Sequence, residues 1–297
     1  MKTKSEYLRT DMAEECYDRG SLLTDEHGIR FTEQREKGIT VSRLEITNQK
    51  GEEIIGKPAG NYITVNIGKI WQGDSETFKN ASQVISAELK SLADKTVPNA
   101  DSLLVVGLGN RYITSDAIGP LAVKDLTVTR HIKELEPGLF EKLSTLTVSA
   151  ISPGVIGQTG IEAVEIIRGA ANNVSPSLII VIDALAAKSV DRLAVTVQIS
   201  DTGIAPGSGI GNTRKAINKE NLGIPVISVG VPTVVDSSTL VYDMLEQAGA
   251  EELPESVKTA LTNGKSFFVT LKDADVATRE TAKLISHAIN HAFSVQL

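Results

Sequence analysis

The chain has 297 residues, 41% apolar and 23% charged, with a net charge of −7 and a pI near 5.3. That acidic balance argues against a general nucleic-acid binder, which needs a basic face to neutralise phosphates, and no run approaches the ~20 apolar residues that cross a bilayer. The N-terminal Met1-Lys2-Thr3-Lys4 carries no apolar signal core, and a single cysteine, Cys16, rules out an internal disulfide framework and agrees with a reducing cytoplasm.

Residues 1–20 are charged and lack periodicity, so they read as an arm outside the core. From 29 to 71, short alternating runs such as Tyr62-Ile63-Thr64-Val65-Asn66-Ile67 are split by Asn48, Gly51 and Lys57-Pro58, as in a small antiparallel meander. Ser75 to Leu92 has helical spacing, with Phe78, Ala81, Val84, Ile85, Leu89 and Leu92 on one stripe. Beyond residue 100 come short, β-branched runs at 103–106, 146–148, 178–182, 194–199, 226–229 and 267–271. Amphipathic stretches at 118–135, 157–171, 236–249 and 273–292 lie between them. This alternation predicts one α/β domain, a mostly parallel twisted sheet with helices on both faces plus the N-terminal antiparallel β extension at 29–71.

Chemistry in such sheets collects at the carboxyl ends of strands. The first core strand runs into Gly107-Leu108-Gly109-Asn110, and Asp116 follows. A dinucleotide fingerprint needs a third glycine where Tyr112 stands, but a nucleotide-binding oxidoreductase or transferase using the Gly107–Gly109 turn is kept as the alternative function. Asp116 also suits a plain helix cap, as does Ser115. Asp183 ends the apolar run Leu178–Ile182 and has only alanine and leucine beside it, a setting that raises a carboxyl pKa or calls for a cation. Two acids at equivalent strand ends can share a proton, one as base toward water and one as acid toward a leaving group. Glycine-rich loops at 152–160 and 201–212 follow other strands and line the same mouth. Of the four histidines, His287 and His291 share a helix face, expected to be solvent-facing, but lack the glutamate of a zinc protease motif, and His27 and His131 lie off the strand ends. No cofactor and no metal site are expected, and a catalytically inactive binding module is a third reading.

Taken together, VVGLGNRYITSDAIGP, PGVIGQTGIEAVEII, VIDALAAKSVDRL, ISDTGIAPGSGIGNTRKAIN and VGVPTVVD resemble the germination proteases of endospore-forming bacteria, from about Arg9 to the last strand. More distantly the chain is similar to hydrogenase maturation endopeptidases, which bind nickel and also use a histidine that cannot be placed here. The resemblance implies an atypical aspartate-dependent endopeptidase with catalytic Asp116 and Asp183. Substrate contacts are expected from Arg111 and from Gly154, Gly157, Gly207 and Gly209 of the glycine-rich loops, which would hold an extended peptide. The resemblance further implies a zymogen that cuts itself between Asp11 and Met12, within Arg9-Thr10-Asp11-Met12-Ala13-Glu14-Glu15, so that residues 1–11 are a propeptide and 12–297 the peptidase domain. Small acid-soluble spore proteins are the implied substrates, the spore core (cytoplasm) the place, and a homotetramer the assembly, with no nucleic-acid or membrane partner. An acidic residue before the cut bond wants a cation, for which Arg111, Lys188, Arg192 and Arg214 are the candidates.

Overall fold

Apolar runs too short for helices become strands of a single sheet. The computed structural model describes residues 9–17, 25–143, 145–207, 214–249 and 267–294, with isolated positions between 254 and 259. Among them lie strands β1 (Ile29–Glu36), β2 (Ile39–Ile46), β3 (Gly60–Asn66), β4 (Ser102–Gly107), β5 (Thr147–Ile151), β6 (Leu178–Ala187), β7 (Thr196–Ser200), β8 (Val226–Asp236) and β9 (Phe268–Val269). They form one nine-stranded sheet in the order β1-β2-β3-β7-β8-β6-β4-β5, with β9 on the end of β8. β5, β4, β6 and β8 run parallel. β7 lies antiparallel between β8 and β3, and the expected N-terminal meander is thereby continuous with the core sheet.

Residues 178–183 of β6 are all buried, as the centre of a sheet covered on both faces requires. Ile180 and Ile182 face a core built with α3 (Ser75–Thr96), α4 (Ile118–Lys124) and α8 (Ala274–Ala292). Ile179 and Val181 face the opposite core, which includes Val164 and Ile167 of α7 (Ala163–Val174). The expected helices on both faces are present, and no helix among the described residues is long and apolar enough to cross a membrane.

Three local expectations need correction. Asn48 and Gly51 do not merely punctuate the meander: Asn48 Oδ1 accepts the Gly51 N–H at 2.9 Å and starts α2 (Gln49–Ile55). The stretch 118–135 is not one helix but α4 and α5 (Arg130–Leu135), because Thr129 turns inward and its hydroxyl accepts the Val148 N–H at 2.8 Å. Residues 9–17 are not a free arm: Met12 and Ala13 are wholly buried, Met12 against Leu185, Ala187, Leu193 and Val235. His287 and His291 are exposed as expected, yet each hydrogen-bonds a serine of α3, Ser82 and Ser86, at 2.9 Å.

Candidate active site

The parallel register sets Gly107 of β4 level with Ile182 of β6, one residue before Asp183. The chain leaving β4 stays against β6, since the Leu108 N–H donates to the Ile182 carbonyl at 2.8 Å. It returns into α4 through Gly119, whose hypothetical Cβ would lie 2.3 Å from the Leu108 carbonyl oxygen and 2.6 Å from that of Ile182. Asp116 closes a short 3₁₀ turn in this loop (Thr114–Asp116), and its carboxylate accepts the Asn110 N–H at 2.8 Å. Thr233 of β8 fixes the loop from the other side by donating to the Ser115 carbonyl at 2.6 Å. Neither Ser115 nor Asp116 caps α4, whose N-cap is Ala117 without a side-chain bond.

Asp116 and Asp183 line one cavity of about 300 Å³, together with Asp11, Gly154, Gly207 and Arg214. Asp183 is 6% exposed and accepts the Ala184 N–H at 2.9 Å. Burial holds its carboxyl well above the usual range, the neighbouring charges of Asp116 and Asp11 push the same way, and the Ala184 N–H and Arg214 pull against them. Asp116 is also raised by burial, opposed by the Asn110 N–H and by Arg214. A protonated acid beside an ionised one can activate water and protonate a leaving amine in one cleft.

The glycines of the first loop do not make a phosphate cradle. A Cβ on Gly107 would meet the Gly119 carbonyl oxygen at 2.2 Å, and one on Gly109 the Asp116 carbonyl oxygen at 2.0 Å. The absent side chains at Gly107 and Gly109 are thus required by the loop's own backbone, while Leu108 and Gly109 still line the cavity. Of the expected substrate contacts, Gly154 and Gly207 line the cavity, Gly157 does not, and Gly209 lies outside the described residues. Arg111 is exposed with its guanidinium 5.7 Å from the Tyr112 ring centroid, so Arg214, not Arg111, brings positive charge to the carboxylates. Asp201, in the Asp-Thr-Gly triplet, is taken up by Asn61, accepting its N–H at 2.8 Å and its side-chain amide at 2.6 Å.

Asp11 of the chain's own N-terminal segment also lines this cavity, and it shares an adjoining one with Lys57 and Gln198. The Asp11 N–H donates to the Ala186 carbonyl and the Ala186 N–H donates to Asp11 Oδ2, both at 2.9 Å. Gln198 of β7 brackets the Asp11–Met12 bond, its Nε2 donating to the Asp11 carbonyl at 3.3 Å and its Oε1 accepting the Ala13 N–H at 2.7 Å. Lys57 donates to the Thr10 carbonyl at 3.1 Å. After Met12 the chain is not extended but makes one helical turn, α1 (Ala13–Cys16). Neither Gln198 nor Lys57 carried a signal in the sequence: a lone glutamine in a short strand and a lysine before a proline mark no chemistry by themselves.

A family model described as germination protease matches residues 9–251. The chain belongs to the germination protease family. This peptidase is 38% identical to the germination protease of Caldanaerobacter subterraneus, over 96% of this chain and 94% of that one. It is 40% identical to that of Clostridium acetobutylicum, over 95% of this chain and 85% of that one. Against the Priestia megaterium protein identity is 42%, over 88% of this chain and 74% of that one. Among solved structures, a hydrogenase maturation protease of Thermococcus kodakarensis matches 56% of this chain and 97% of its own at 17% identity, with a TM-score of 0.32. Membership of a peptidase family stands against the nucleotide-binding alternative.

Proposed function

We propose that this peptidase is made as a zymogen that cuts itself between Asp11 and Met12, and that the remaining chain, 12–297, begins the degradation of small acid-soluble spore proteins at germination. The observation that carries the reading is that Asp11 lines the same cavity as Asp116 and Asp183 and that its charge acts on Asp183. In this mechanism Asp116 and Asp183 share one proton. The ionised carboxyl takes a proton from water, which attacks the Asp11 carbonyl carbon, and the protonated one delivers its proton to the departing Met12 nitrogen. Gln198 Nε2, already donating to the Asp11 carbonyl oxygen, stabilises the negative charge that develops there. The spore core as site of action and a tetrameric assembly are carried over from the family resemblance.

Purified full-length protein held at mildly acid pH should lose its first 11 residues and show Met12 as the new N-terminus by mass and end-group analysis. Asp116→Asn and Asp183→Asn should each abolish the conversion and the cleavage of spore proteins added afterwards. Conversion by both variants, free of wild type, sinks the carboxylate pair, and a different new N-terminus sinks the assigned bond.

A further inference from the structure

Strand β8 closes a largely apolar run on an acid, Asp236, which the proposed mechanism does not use. Its side chain is 1% exposed. Asp236 caps the helix Ser237–Gln247, its Oδ1 accepting the Ser238 N–H at 3.0 Å and the Thr239 N–H at 3.3 Å. Its Oδ2 faces Arg9, whose Nη1 stands 3.6 Å away. The Arg9 N–H donates to the Thr239 hydroxyl at 3.1 Å. The start of one helix therefore meets both the side chain and the main chain of Arg9.

The sheet register ties this pairing to the docking of Asp11. β6 and β8 lie side by side, Ala186 level with Val234 and Ala187 with Val235, and Asp236 comes one residue further along. The Asp11 N–H donates to the Ala186 carbonyl at 2.9 Å, and Lys57 Nζ donates to the Thr10 carbonyl at 3.1 Å. With Arg9 on Thr239, three successive residues are held through their main chain as the segment passes from β6 to the end of β8. Asp243, a second buried acid of the same helix, has its cation from the body of the enzyme, Lys188 at 3.4 Å. The Asp236 pair takes its cation from the segment that conversion would remove.

We infer that Asp236 and Thr239 form a subsite for a basic residue, Arg or Lys, at the third position before the cleaved bond of a protein substrate. The inference rests on Asp11–Met12 being a bond the enzyme cuts. Conversion takes Arg9 away with residues 1–11, so a substrate arriving later meets a buried carboxylate at the end of β8. Burying a carboxylate is unfavourable unless hydrogen bonds or a cation answer it. The helix cap occupies Oδ1, and a guanidinium or ammonium of the substrate can take the place of Arg9 at Oδ2. A neutral side chain brings no charge there, and an acidic one is repelled. Thr239 contacts only main chain, so it sets the register of the peptide while Asp236 sets the preference.

The test uses acetylated nine-residue peptides with the sequence Arg9–Tyr17, carrying Arg, Gln or Glu at the first position, and the enzyme left after conversion. Acetylation keeps the N–H that Thr239 accepts. The Arg peptide should have a kcat/KM about 3–10-fold above the Gln peptide, as for an ion pair with one partner buried, and the Glu peptide should be cut slowest. Asp236→Asn keeps a capping oxygen and removes the charge. In that variant the Arg-to-Gln ratio should fall below about twofold, and the Glu peptide should gain on the Gln peptide. A ratio near one in wild type, or the same ratio in the variant, overturns the subsite. A second measurement needs no catalysis. In the full chain, Arg9→Gln should quicken exchange of the Asp11 amide by a comparable factor, and should do so much less in an Asp236→Asn background. Equal effects in both backgrounds refute the contact. If no peptide is cut while that coupling is found, the reading of Asp11–Met12 as a cleaved bond has failed and the Arg9–Asp236 contact stands.

Discussion

Asp183 places an ionisable group where the strand around it is otherwise aliphatic. Burial, then the charges of Asp116 and Asp11, favour its protonated form. The folded chain therefore keeps a proton that the unfolded chain has released once the pH is above the ordinary aspartate range. Protons bound by the folded state exceed those bound by the unfolded state, so stability from this group is greatest in acid and falls as pH rises through the elevated folded value. Asp183→Asn removes that penalty and, under the proposed mechanism, the chemistry. It should abolish conversion yet raise the Tm near neutral pH, by about 2–4 °C for each kcal/mol relieved, with the gap over wild type narrowing toward pH 4. A variant less stable than wild type at neutral pH, with a difference that ignores pH, would show that Asp183 is ionised and well solvated by its partners.

At the scale of elements, the connection from β4 to α4 is what aims Asp116, and its glycines are packing devices. Gly107 has no unusual backbone angle, so its restriction is purely one of space against the Gly119 carbonyl. Gly107→Ala should cost about 1–3 kcal/mol through overpacking against backbone that cannot give way, or about 2–12 °C in Tm, and should lower activity by shifting Asp116. Gly138→Ala, in α6 (Pro137–Leu143) with open space around its Cβ, is the contrast and should hold or slightly raise Tm. Equal losses in both would dismiss the packing account. The strand-end acids were legible because an acid closing an apolar run stands out by type and position, and the apolar runs themselves located the parallel strands. The packing role of Gly107 and Gly109 is not legible in the sequence, since composition shows that a Cβ is missing and not what occupies its place. The break at Thr129 was hidden as well, because the cause is a hydrogen bond to β5, 19 residues away.

The whole molecule joins its N-terminal segment to the site over a long sequence separation, which explains why residues 9–17 looked detached. A helix of four residues offers no periodicity, and the burial of Met12 depends on side chains at 185, 187, 193 and 235 that only the fold assembles. Polar composition there reflects what the segment bonds to: Glu15 meets backbone donors, and Arg9 lies 3.6 Å from Asp236 at the end of β8. Such a segment can leave without the sheet unfolding, because it adds contacts to β6 and β7 and no strand of the sheet depends on it for register. Met12→Ala separates the two cases. Truncating a fully buried methionine costs about 2–5 kcal/mol, and a segment held by a local equilibrium can lose no more protection than its own docking energy supplies. Exchange of the Asp11 and Ala13 amides, bonded to the Ala186 carbonyl and to Gln198, should quicken by about 10–100-fold. The amides of Ile179–Ile182 should stay within about threefold of wild type, and conversion should slow because the Asp11–Met12 bond is no longer held beside the carboxylates. Uniform loss of protection across β6 would mean instead that the segment and the sheet unfold as one unit, and cleavage at Asp11 would then have to destabilise the entire enzyme.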